Sequence, residues 1–512
     1  MLFGEEVGEL EECSAWLSEL IEPINFRKSS ISGDEVVSAP TDYCSSAKWL
    51  SFNEVDFNKK YGPLGINEIK DIDSLVAAVS ERFCYSGNIF FGNFGFIERS
   101  SNINDSYYVY NCGRNGNSKF IAYTAMGRVD ENTFGCNVAA ESKFCVKCTR
   151  VLRSTRCFEV WHSVNTSDCY YSSGLDSCQS CMFSFNAKNL RNAIGNLALA
   201  PSKYKSIKDK LISEMAGELH KKKRLPALVD IAKKAKASKP AIGATEMQLS
   251  GEGKDKEPIE KAFLNVTSTL FSKPLVGGMD AYSSWLSRHT RPILERTSAA
   301  SGRRLVVASF ASIPNLPKGR FLHLHEALAL GEKIKISASD AESLSLSNAH
   351  EKLAPLLFFN VEMREGQNKN IIDCTITVDS SDCYRSSAVV YTKFCGYSFW
   401  LRSCQYLFGC DSPFDSTYCI NCYSCTQLTR CFEIDCCGYC SDSYFCHNCE
   451  NVRDSMFCFN VKNLKYSIGN SEFSREEYLK AKSSLLSQIS DELNKSKDLK
   501  YDIYNIGCIR EK

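Results

Sequence analysis

Apolar and polar positions in the second half of the chain repeat every three residues, not every two or every 3.6. Between residues 374 and 458 there are 15 cysteines, and 14 of them share one frame of three, with only Cys436 outside it. Written in rows of nine, most of these cysteines fall into two columns. A short fixed period is typical of a stacked repeat, in which each coil buries its inward residues against the next coil. We therefore expect the cysteines to face inward.

The residues between the cysteines favour a parallel β-solenoid. β-Branched and aromatic runs such as 389–391 and 406–408 suit short strands, while Asn, Asp, Gly and Ser suit the corners between them. Inward cysteines of successive coils would then stack about 4.8 Å apart. The pattern leaves open whether one coil contains two or three nonapeptides.

The repeat occurs twice in the chain. Residues 155–196 align without gaps on residues 429–470, an offset of 274, and 18 of the 42 positions are identical. The sequence Thr-Arg-Cys-Phe-Glu begins both segments, and the first segment keeps the triplet frame with fewer cysteines. The fold class that we predict is mainly β, with two tandem cysteine-rich parallel β-solenoids and α-helical caps.

Changes in composition and periodicity predict the domain boundaries. We expect an N-terminal helical and mixed cap of the first copy at 1–83, the first β-solenoid at 84–200, a capping helix at 201–234, a flexible basic linker at 235–273, a mixed cap of the second copy at 274–372, the second β-solenoid at 373–470 and a C-terminal capping helix at 471–512. Both capping helices carry an apolar stripe at matching positions: Tyr204, Leu211, Met215 and Leu219 in the first, and Tyr478, Leu485, Ile489 and Leu493 in the second. These stripes should pack against the last coil.

Composition narrows the class of protein only slightly. The formal net charge is +1, and no apolar run reaches the roughly 18 residues of a membrane-spanning helix. The first residues are acidic and unlike a signal peptide. We expect a cytoplasmic protein, or one assembled into a particle made in the cytoplasm, with no membrane partner. In that compartment the 27 cysteines would be thiols or metal ligands.

Three motifs carry a resemblance to known sequences. Residues 418–425 contain Asn-Cys triplets, residues 186–192 and 460–466 share an Asn-x-Lys-Asn-Leu segment, and residues 474–478 read Ser-Arg-Glu-Glu-Tyr. In this combination the chain resembles cysteine-triplet repeat proteins of uncultivated bacteria, archaea and phages, over about half of its length. The Cys-x-x-Cys zinc ribbon that begins many of those proteins is absent here. The resemblance implies a repeat fold and no particular activity.

A metal site is the first chemical hypothesis. Cys436, Cys437, Cys446, His447 and Cys449 combine thiols and an imidazole at spacings that suit zinc. The triplet repeat also generates Cys-x-x-Cys pairs by itself, so a ladder of packed thiols explains most of the pattern. We therefore expect no cofactor, with zinc as the alternative.

Two groups of residues suggest catalysis weakly. Glu159 and Glu433 recur in the repeated Cys-Phe-Glu motif, and Asp168 and Asp442 also match, as paired carboxylates for glycoside chemistry would. We expect all four to be solvated corner residues. A further set is His323, His325 and Glu326, in a run whose alternation would place both histidines on one face of a strand. With no third ligand visible, we expect an exposed polar face there.

One basic cluster could bind nucleic acid. Lys221, Lys222, Lys223 and Arg224 follow one another next to the expected linker, without interleaved aromatic residues. Such a run can contact phosphates without sequence preference. A solvated tail is the simpler interpretation, so nucleic acid is not an expected partner.

These observations favour a structural or protein-interaction scaffold without catalysis. Solenoids present long rigid faces, and the expected partner is another protein or a further copy of the chain. The first alternative is a thiol-rich metal-binding protein, with zinc or iron-sulfur, or a redox protein. The second is a carbohydrate-active β-helix enzyme.

Overall fold

The chain forms two compact units, each assembled from three separate stretches. A computed structural model describes residues 1–59, 61–65, 69–242 and 251–508. The first unit comprises the described residues of Met1–Pro23, Phe90–Gln248 and Leu294–Glu362, and the second those of Ile24–Ile89, Leu249–Ile293 and Met363–Lys512.

This division differs from the boundaries expected from the sequence. The stretch Ile24–Ile89 lies in the second unit, whereas residues 1–83 were expected to cap the first copy. Conversely, Leu294–Glu362 lies in the first unit, although 274–372 was expected to cap the second. The expectation assumed that each cap packs on the repeat that follows it. Burial of apolar residues places each of these stretches with the other repeat.

Ten α-helices lie in the described residues. They are α1 Ser14–Leu17, α2 Ile72–Val79, α3 Pro201–Lys222, α4 Leu228–Lys234, α5 Glu257–Phe271, α6 Ser283–Leu286, α7 Leu324–Lys333, α8 Ala338–Glu342, α9 Ala349–Lys352 and α10 Arg475–Ser496. None of them has both the length and the apolar character that a membrane crossing requires.

Strands outnumber helices, so the prediction of a mainly β chain is confirmed. In the first unit they are Phe90–Phe91, Gly95–Glu98, Ser101–Asn104, Tyr107–Tyr110, Gly113–Gly116, Lys119–Ala122, Glu131–Phe134, Asn137–Ala140, Lys143–Val146, Thr149–Leu152, Thr155–Val164, Tyr170–Ser173, Gln179–Met182, Arg191–Ile194, Leu197–Ala198 and Arg304–Ala308, with Ile293–Thr297 crossing the unit boundary. In the second they are Asn25–Lys28, Glu35–Ser38, Trp49–Ser51, Tyr85–Gly87, Met363–Glu365, Lys369–Ile372, Ile376–Val378, Ser381–Tyr384, Ser387–Val390, Lys393–Gly396, Phe399–Arg402, Gln405–Phe408, Thr417–Tyr423, Thr429–Asp435, Ser441–His447, Arg453–Met456, Lys465–Ile468 and Ser471–Glu472.

The strands of the repeat pair in parallel, and paired residues lie 12 positions apart except at the first strand of each repeat. Cys145 pairs with Cys157 in the first unit, and Cys383 pairs with Cys395 in the second. Every third residue from 96 to 192 and from 379 to 466 has a positive φ. A left-handed residue turns the chain sharply, so four triplets bring it back to its parallel neighbour. Asn and Asp, which tolerate this conformation, recur at these corners and precede six of the 22 inward cysteines.

The nine-residue columns of the sequence therefore do not correspond to the 12-residue spacing of paired strands. A residue nine positions on lies one triplet short of the paired residue. Cys437 illustrates the relation: its Sγ lies 3.6 Å from the carbonyl oxygen of Cys446, nine residues later, and accepts the N–H of Cys449, 12 residues later, at 3.2 Å. The nine-residue period of the cysteines reflects this contact between residues nine positions apart.

The triplet cysteines form the inside of both repeats. All 22 cysteines that are in frame between residues 112 and 458 are at most 3% exposed. They pack with Val, Leu and Ile in the inner clusters of the two units. Cys436 occupies a left-handed corner instead, with φ 52°, which explains why it lies outside the frame.

A second layer covers the outer face of the strands in the second unit. It contains α5, α10 and described residues between Val36 and Tyr85, which share one apolar cluster with Phe408 and Phe432. The expectation of a flexible linker at 235–273 is wrong for α5, because Ile259, Phe263, Val266 and Leu270 form a buried stripe at helical spacing.

The two long helices follow the last parallel strand of each repeat. In α3 and α10 all eight residues of the predicted stripes are buried, and each helix contacts the last parallel strand before it, Arg191–Ile194 or Lys465–Ile468. The capping box of Ser474 and Glu477 at the start of α10 is also present. Just before each helix a short antiparallel strand, Leu197–Ala198 or Ser471–Glu472, closes the edge of the sheet.

Candidate functional site

The strongest polar cluster of the second unit surrounds Asp435, at the end of strand Thr429–Asp435. This carboxylate is fully buried and accepts a short hydrogen bond from the hydroxyl of Tyr43. The Nδ1 atom of His447, on the next strand, lies 2.9 Å from it, and the hydroxyl of Tyr504 lies 3.3 Å from it. Three distant parts of the sequence thus meet at one carboxylate. Burial, followed by the charge of Asp435, raises the pKa of Tyr43 well above its ordinary value.

His447 is held at both ring nitrogens. Its Nε2 accepts the backbone N–H of Ser86 at 2.8 Å, so the proton of the neutral ring lies on Nδ1, which faces Asp435. The side chain has no solvent exposure. This arrangement fixes the strand Tyr85–Gly87 onto the repeat and leaves the imidazole without a free nitrogen.

Glu433 forms a second buried contact of the same kind. Its carboxylate accepts the side-chain amide of Asn421 and the backbone N–H of Ile503, both at 2.9 Å. Burial, reinforced by the charge of Asp502, raises the pKa of Glu433 to about 8. The carboxyl therefore holds the segment that follows α10 against the repeat.

Glu159, at the matching position of the first copy, does the same in the first unit. It is 2% exposed and accepts the backbone N–H of Leu228, the first residue of α4, at 2.7 Å. Burial raises its pKa to about 7, although the ammonium group of Lys147 opposes the shift. The expectation that Glu159 and Glu433 are solvated corner residues is therefore wrong. Both occupy corners by backbone conformation, but later segments cover them.

Lys147 is itself a buried cation. It is 3% exposed, and its Nζ donates to the carbonyl oxygens of Trp16 and Glu19 at 2.6 and 2.7 Å. These carbonyls lie at and just beyond the C-terminal end of α1, where a positive charge is favourable. Lys147 therefore fastens the N-terminal segment to the first repeat.

An ionic group borders Glu433 in the second unit. His289 lies 3.2 Å from Asp502 and 3.4 Å from Asp42, and Arg288 lies 3.1 Å from Asp502. Burial lowers the pKa of His289, but the two carboxylates outweigh it and raise the pKa to about 9. His289 is thus charged at neutral pH, which joins three stretches of chain by ion pairs.

The structure brings together only three of the five candidate metal ligands, because the thiol of Cys449 contacts those of Cys437 and Cys446. Cys437 and Cys449 share an inner column, Cys446 belongs to another column, Cys436 is at a corner and His447 points outward to Asp435. Throughout the described residues, no group of three or more His, Cys, Asp or Glu side chains is arranged to hold a metal ion.

Three of the four basic candidates for nucleic-acid binding are neutralised within the first unit. Lys222 pairs with Glu218 at 2.6 Å, Lys223 pairs with Glu12 at 2.7 Å, and Arg224 pairs with Glu19 and Asp230. Lys221 lies beside them in the last turn of α3. The cluster fastens α3 to neighbouring segments.

The remaining candidates have ordinary structural contacts. Asp168 and Asp442 each form a two-pronged ion pair with the arginine 12 residues earlier, Arg156 and Arg430. The residues from Leu324 belong to helix α7, so the strand expected for His323, His325 and Glu326 is wrong. His323 precedes that helix, and Glu326 closes a capping box there.

Two surface clefts are further candidates for a binding site. In the second unit a cleft of about 430 Å³ is lined by Asp280, Arg291 and Arg385 among other residues, and Asp280 is already bonded to Lys256 and Tyr397. In the first unit a cleft of about 510 Å³ lies between residues 1–9 and strands that carry Phe134 and Phe144. Neither cleft contains Glu159, Glu433 or His447.

Sequence reasoning missed Tyr43, Ser86, Asp435 and Tyr504. Asp435 has no counterpart in the first copy, where the matching residue is Trp161, so the internal repeat gives no signal for it. Tyr43 lies 392 residues away in the sequence. Comparison with known protein families, with curated proteins and with solved structures found no significant match.

Proposed function

We propose that this protein is a structural or protein-interaction scaffold built on two copies of a cysteine-rich parallel β-solenoid. One coil consists of four triplets, and each triplet contains one left-handed corner and one inward residue. The scaffold binds another protein or a further copy of the chain, and it performs no catalysis.

Matching positions in the two copies support the duplicated solenoid. The ion pair of Arg156 and Asp168 recurs as Arg430 and Asp442, with 2.7 Å between the closest atoms in both units. Glu159 and Glu433 both accept a backbone N–H from the segment after a long helix. Shared backbone conformation, register and side-chain role agree with descent from one repeat.

The scaffold proposal rests on the way in which the buried polar side chains use their hydrogen bonds. The buried polar residues use their hydrogen bonds to hold other segments against the repeat, as Glu433, Asp435 and His447 do. Catalytic groups need access to a substrate and an unused donor or acceptor. These residues supply rigidity instead, and a rigid surface is what a scaffold provides.

The test uses the full-length chain isolated from its source cells under native conditions. Native mass spectrometry should find a complex of fixed stoichiometry, and elemental analysis of the same sample should find far less than one metal ion per chain. A strictly monomeric chain with no retained partner contradicts the scaffold.

The thiol-rich metal-binding alternative makes the opposite prediction for that sample. It requires one or more zinc or iron ions per chain and loss of the fold after chelation. Cys436→Ser and Cys437→Ser should then both lower the metal content. If the protein is a scaffold without bound metal, neither variant should change the metal content.

A further inference from the structure

Each long sheet begins with an end strand, and among the described residues that end strand is covered in the second unit only. In the second unit the first long-sheet strand is Lys369–Ile372, and in the first unit it is Gly95–Glu98. Ile371 and Ile97 are matching inward residues, 274 positions apart. Each of these strands pairs with a single later strand of the repeat, so its other edge faces away from the repeat.

A separate piece of chain covers this edge in the second unit. Glu252 pairs in parallel with Ile371, whose N–H donates to the carbonyl oxygen of Gly251 at 2.8 Å and whose carbonyl accepts the N–H of Gly253 at 3.1 Å. As a result Ile371 is only 1% exposed. The segment is a one-residue strand addition with a glycine on each side.

Both glycines are required by the closeness of the coil. A Cβ atom at Gly251 would collide with the backbone of Asn368, and a Cβ atom at Gly253 would collide with the backbone of Asn370. Gly251 also has a φ of +75°. A segment that approaches this edge as residues 251–253 do therefore needs a glycine on each side of the paired residue.

No strand of the described residues covers the matching edge in the first unit. Ile97 is only partly buried although it points into the repeat. Phe94 and Phe96 stand where the second unit has Asn368 and Asn370, and they are 44% and 72% exposed. Phe96 also begins a ladder of stacked rings with Tyr108 and Phe120, at centroid distances of 4.7 and 4.8 Å.

We infer that the strand Gly95–Glu98 binds an extended Gly-x-Gly segment of a partner protein, flanked by apolar residues, as an added parallel strand. By the common register, the N–H and carbonyl of Ile97 point out of the edge as those of Ile371 do. Two hydrogen bonds would form there, and apolar flanks would cover Phe94 and Phe96. The inference rests on the proposed scaffold function and names the kind of partner.

A second copy of the chain fits this edge less well. Two identical edges related by a two-fold axis would run antiparallel, whereas the segment that covers this edge in the second unit runs parallel. The exchange of Asn for Phe also removes the side-chain amide with which Asn370 binds the carbonyl of Asp255. An apolar segment of another protein suits the first unit better than the chain's own hydrophilic one.

The probe is a fluorescein-labelled peptide with the sequence Leu-Leu-Gly-Glu-Gly-Leu-Leu, titrated with the full-length protein. We expect saturable binding, at least tenfold weaker when both glycines of the peptide are alanine. Phe96→Glu should weaken binding at least tenfold. Val129→Glu is the matched control, because Val129 is also a left-handed corner of the first unit, 47% exposed and remote from the edge.

Amide hydrogen exchange of the wild-type protein tests the same inference without a variant. The peptide should slow exchange in residues 95–98 and leave 369–372 unchanged. Absence of binding, equal binding of the alanine peptide, or protection elsewhere overturns the inference. Self-association through this edge, seen by light scattering and abolished by Phe96→Glu, also overturns it. None of these results contradicts the scaffold function. That function is contradicted only if the native protein forms no complex.

Discussion

Interior cysteines in this protein act as hydrogen-bonding residues as well as apolar ones. The thiol of Cys437 lies 3.2 Å from the carbonyl oxygen of Asp435 and accepts the N–H of Cys449. Serines at other inward positions do the same, as when Ser142 accepts the N–H of Ser154 at 3.2 Å. A small side chain with one donor and one acceptor satisfies the buried backbone groups beside it, which the side chain of Val cannot do.

Substitutions at Cys437 should separate these two roles. Cys437→Ser should change the free energy of unfolding by less than about 1 kcal/mol, because the acceptor for Cys449 remains. Cys437→Ala should cost about 1–3 kcal/mol, since it leaves that buried N–H unpaired. Urea unfolding measures both values. Equal costs for the two variants would mean that the thiol serves only as apolar volume.

The raised pKa of Glu433 predicts a dependence of stability on pH. An ordinary Glu titrates near 4.5 and Glu433 near 8, so the folded protein holds a proton that the unfolded chain releases between these values. Stability should therefore fall as pH rises from 5 to 8, by about 3 kcal/mol from this group. Glu433→Gln should remove much of this slope from thermal melts.

The control for that experiment is Glu476→Gln in the first turn of α10. Glu476 is exposed, so the variant should keep the slope of the wild-type protein. Asp502 and His289 also act on Glu433 and remain in both variants. If Glu433→Gln retains the full slope, Glu433 is ionised in the folded protein.

At the scale of elements, local pattern indicated the stripes of α3 and α10 and the inward cysteines correctly. It could not indicate that paired residues of neighbouring strands are 12 positions apart. The nine-residue columns of cysteines reflect contacts between residues nine positions apart, such as Cys437 and Cys446. The contact of Tyr43 with Asp435 was also out of reach. Nothing local to either residue indicates a partner almost 400 positions away, and the repeat offers no second example.

The left-handed backbone conformation at the corner of each triplet is unfavourable for most side chains other than Gly, Asn and Asp. Val129 has a φ of 59°, where a β-branched side chain is strained. Val129→Asn should therefore stabilise the first unit by about 1 kcal/mol, because Asn tolerates this conformation. Local opening measured by amide hydrogen exchange around residues 126–132 reports the gain.

Val146→Asn is the paired control, because Val146 ends the extended strand Lys143–Val146. Asn is unfavourable in strands, so this variant should lose stability. Destabilisation by both substitutions would show that the corner conformation carries no penalty for valine.

At the scale of the whole molecule, one covalent bond stands apart from the many thiols. Cys44 and Cys508 form a disulfide across 464 residues of sequence, and the other 25 cysteines remain thiols. Both partners belong to the second unit. The expectation of thiols in place of disulfides holds except for this pair.

Opening that bridge should loosen the second unit selectively. Cys508→Ser should destabilise it by about 2–4 kcal/mol. Amide exchange should accelerate in residues 42–51 and stay unchanged in 95–194. Thiol titration of the denatured wild-type protein without reductant should find 25 reactive groups. A reductant that destabilises the variant as much as the wild type would reveal further bridges.

The interleaved assembly of the two units has a consequence for protein synthesis. The stretch Ile24–Ile89 emerges from the ribosome long before its partner, which begins at Met363, because everything from Phe90 to Glu362 is made in between. At roughly 5–20 residues per second this interval lasts about 14 to 55 s. During that time Val36, Trp49 and Tyr85 lack the part of their core that later residues supply, so the nascent chain carries an incompletely covered apolar arm until the second repeat is made.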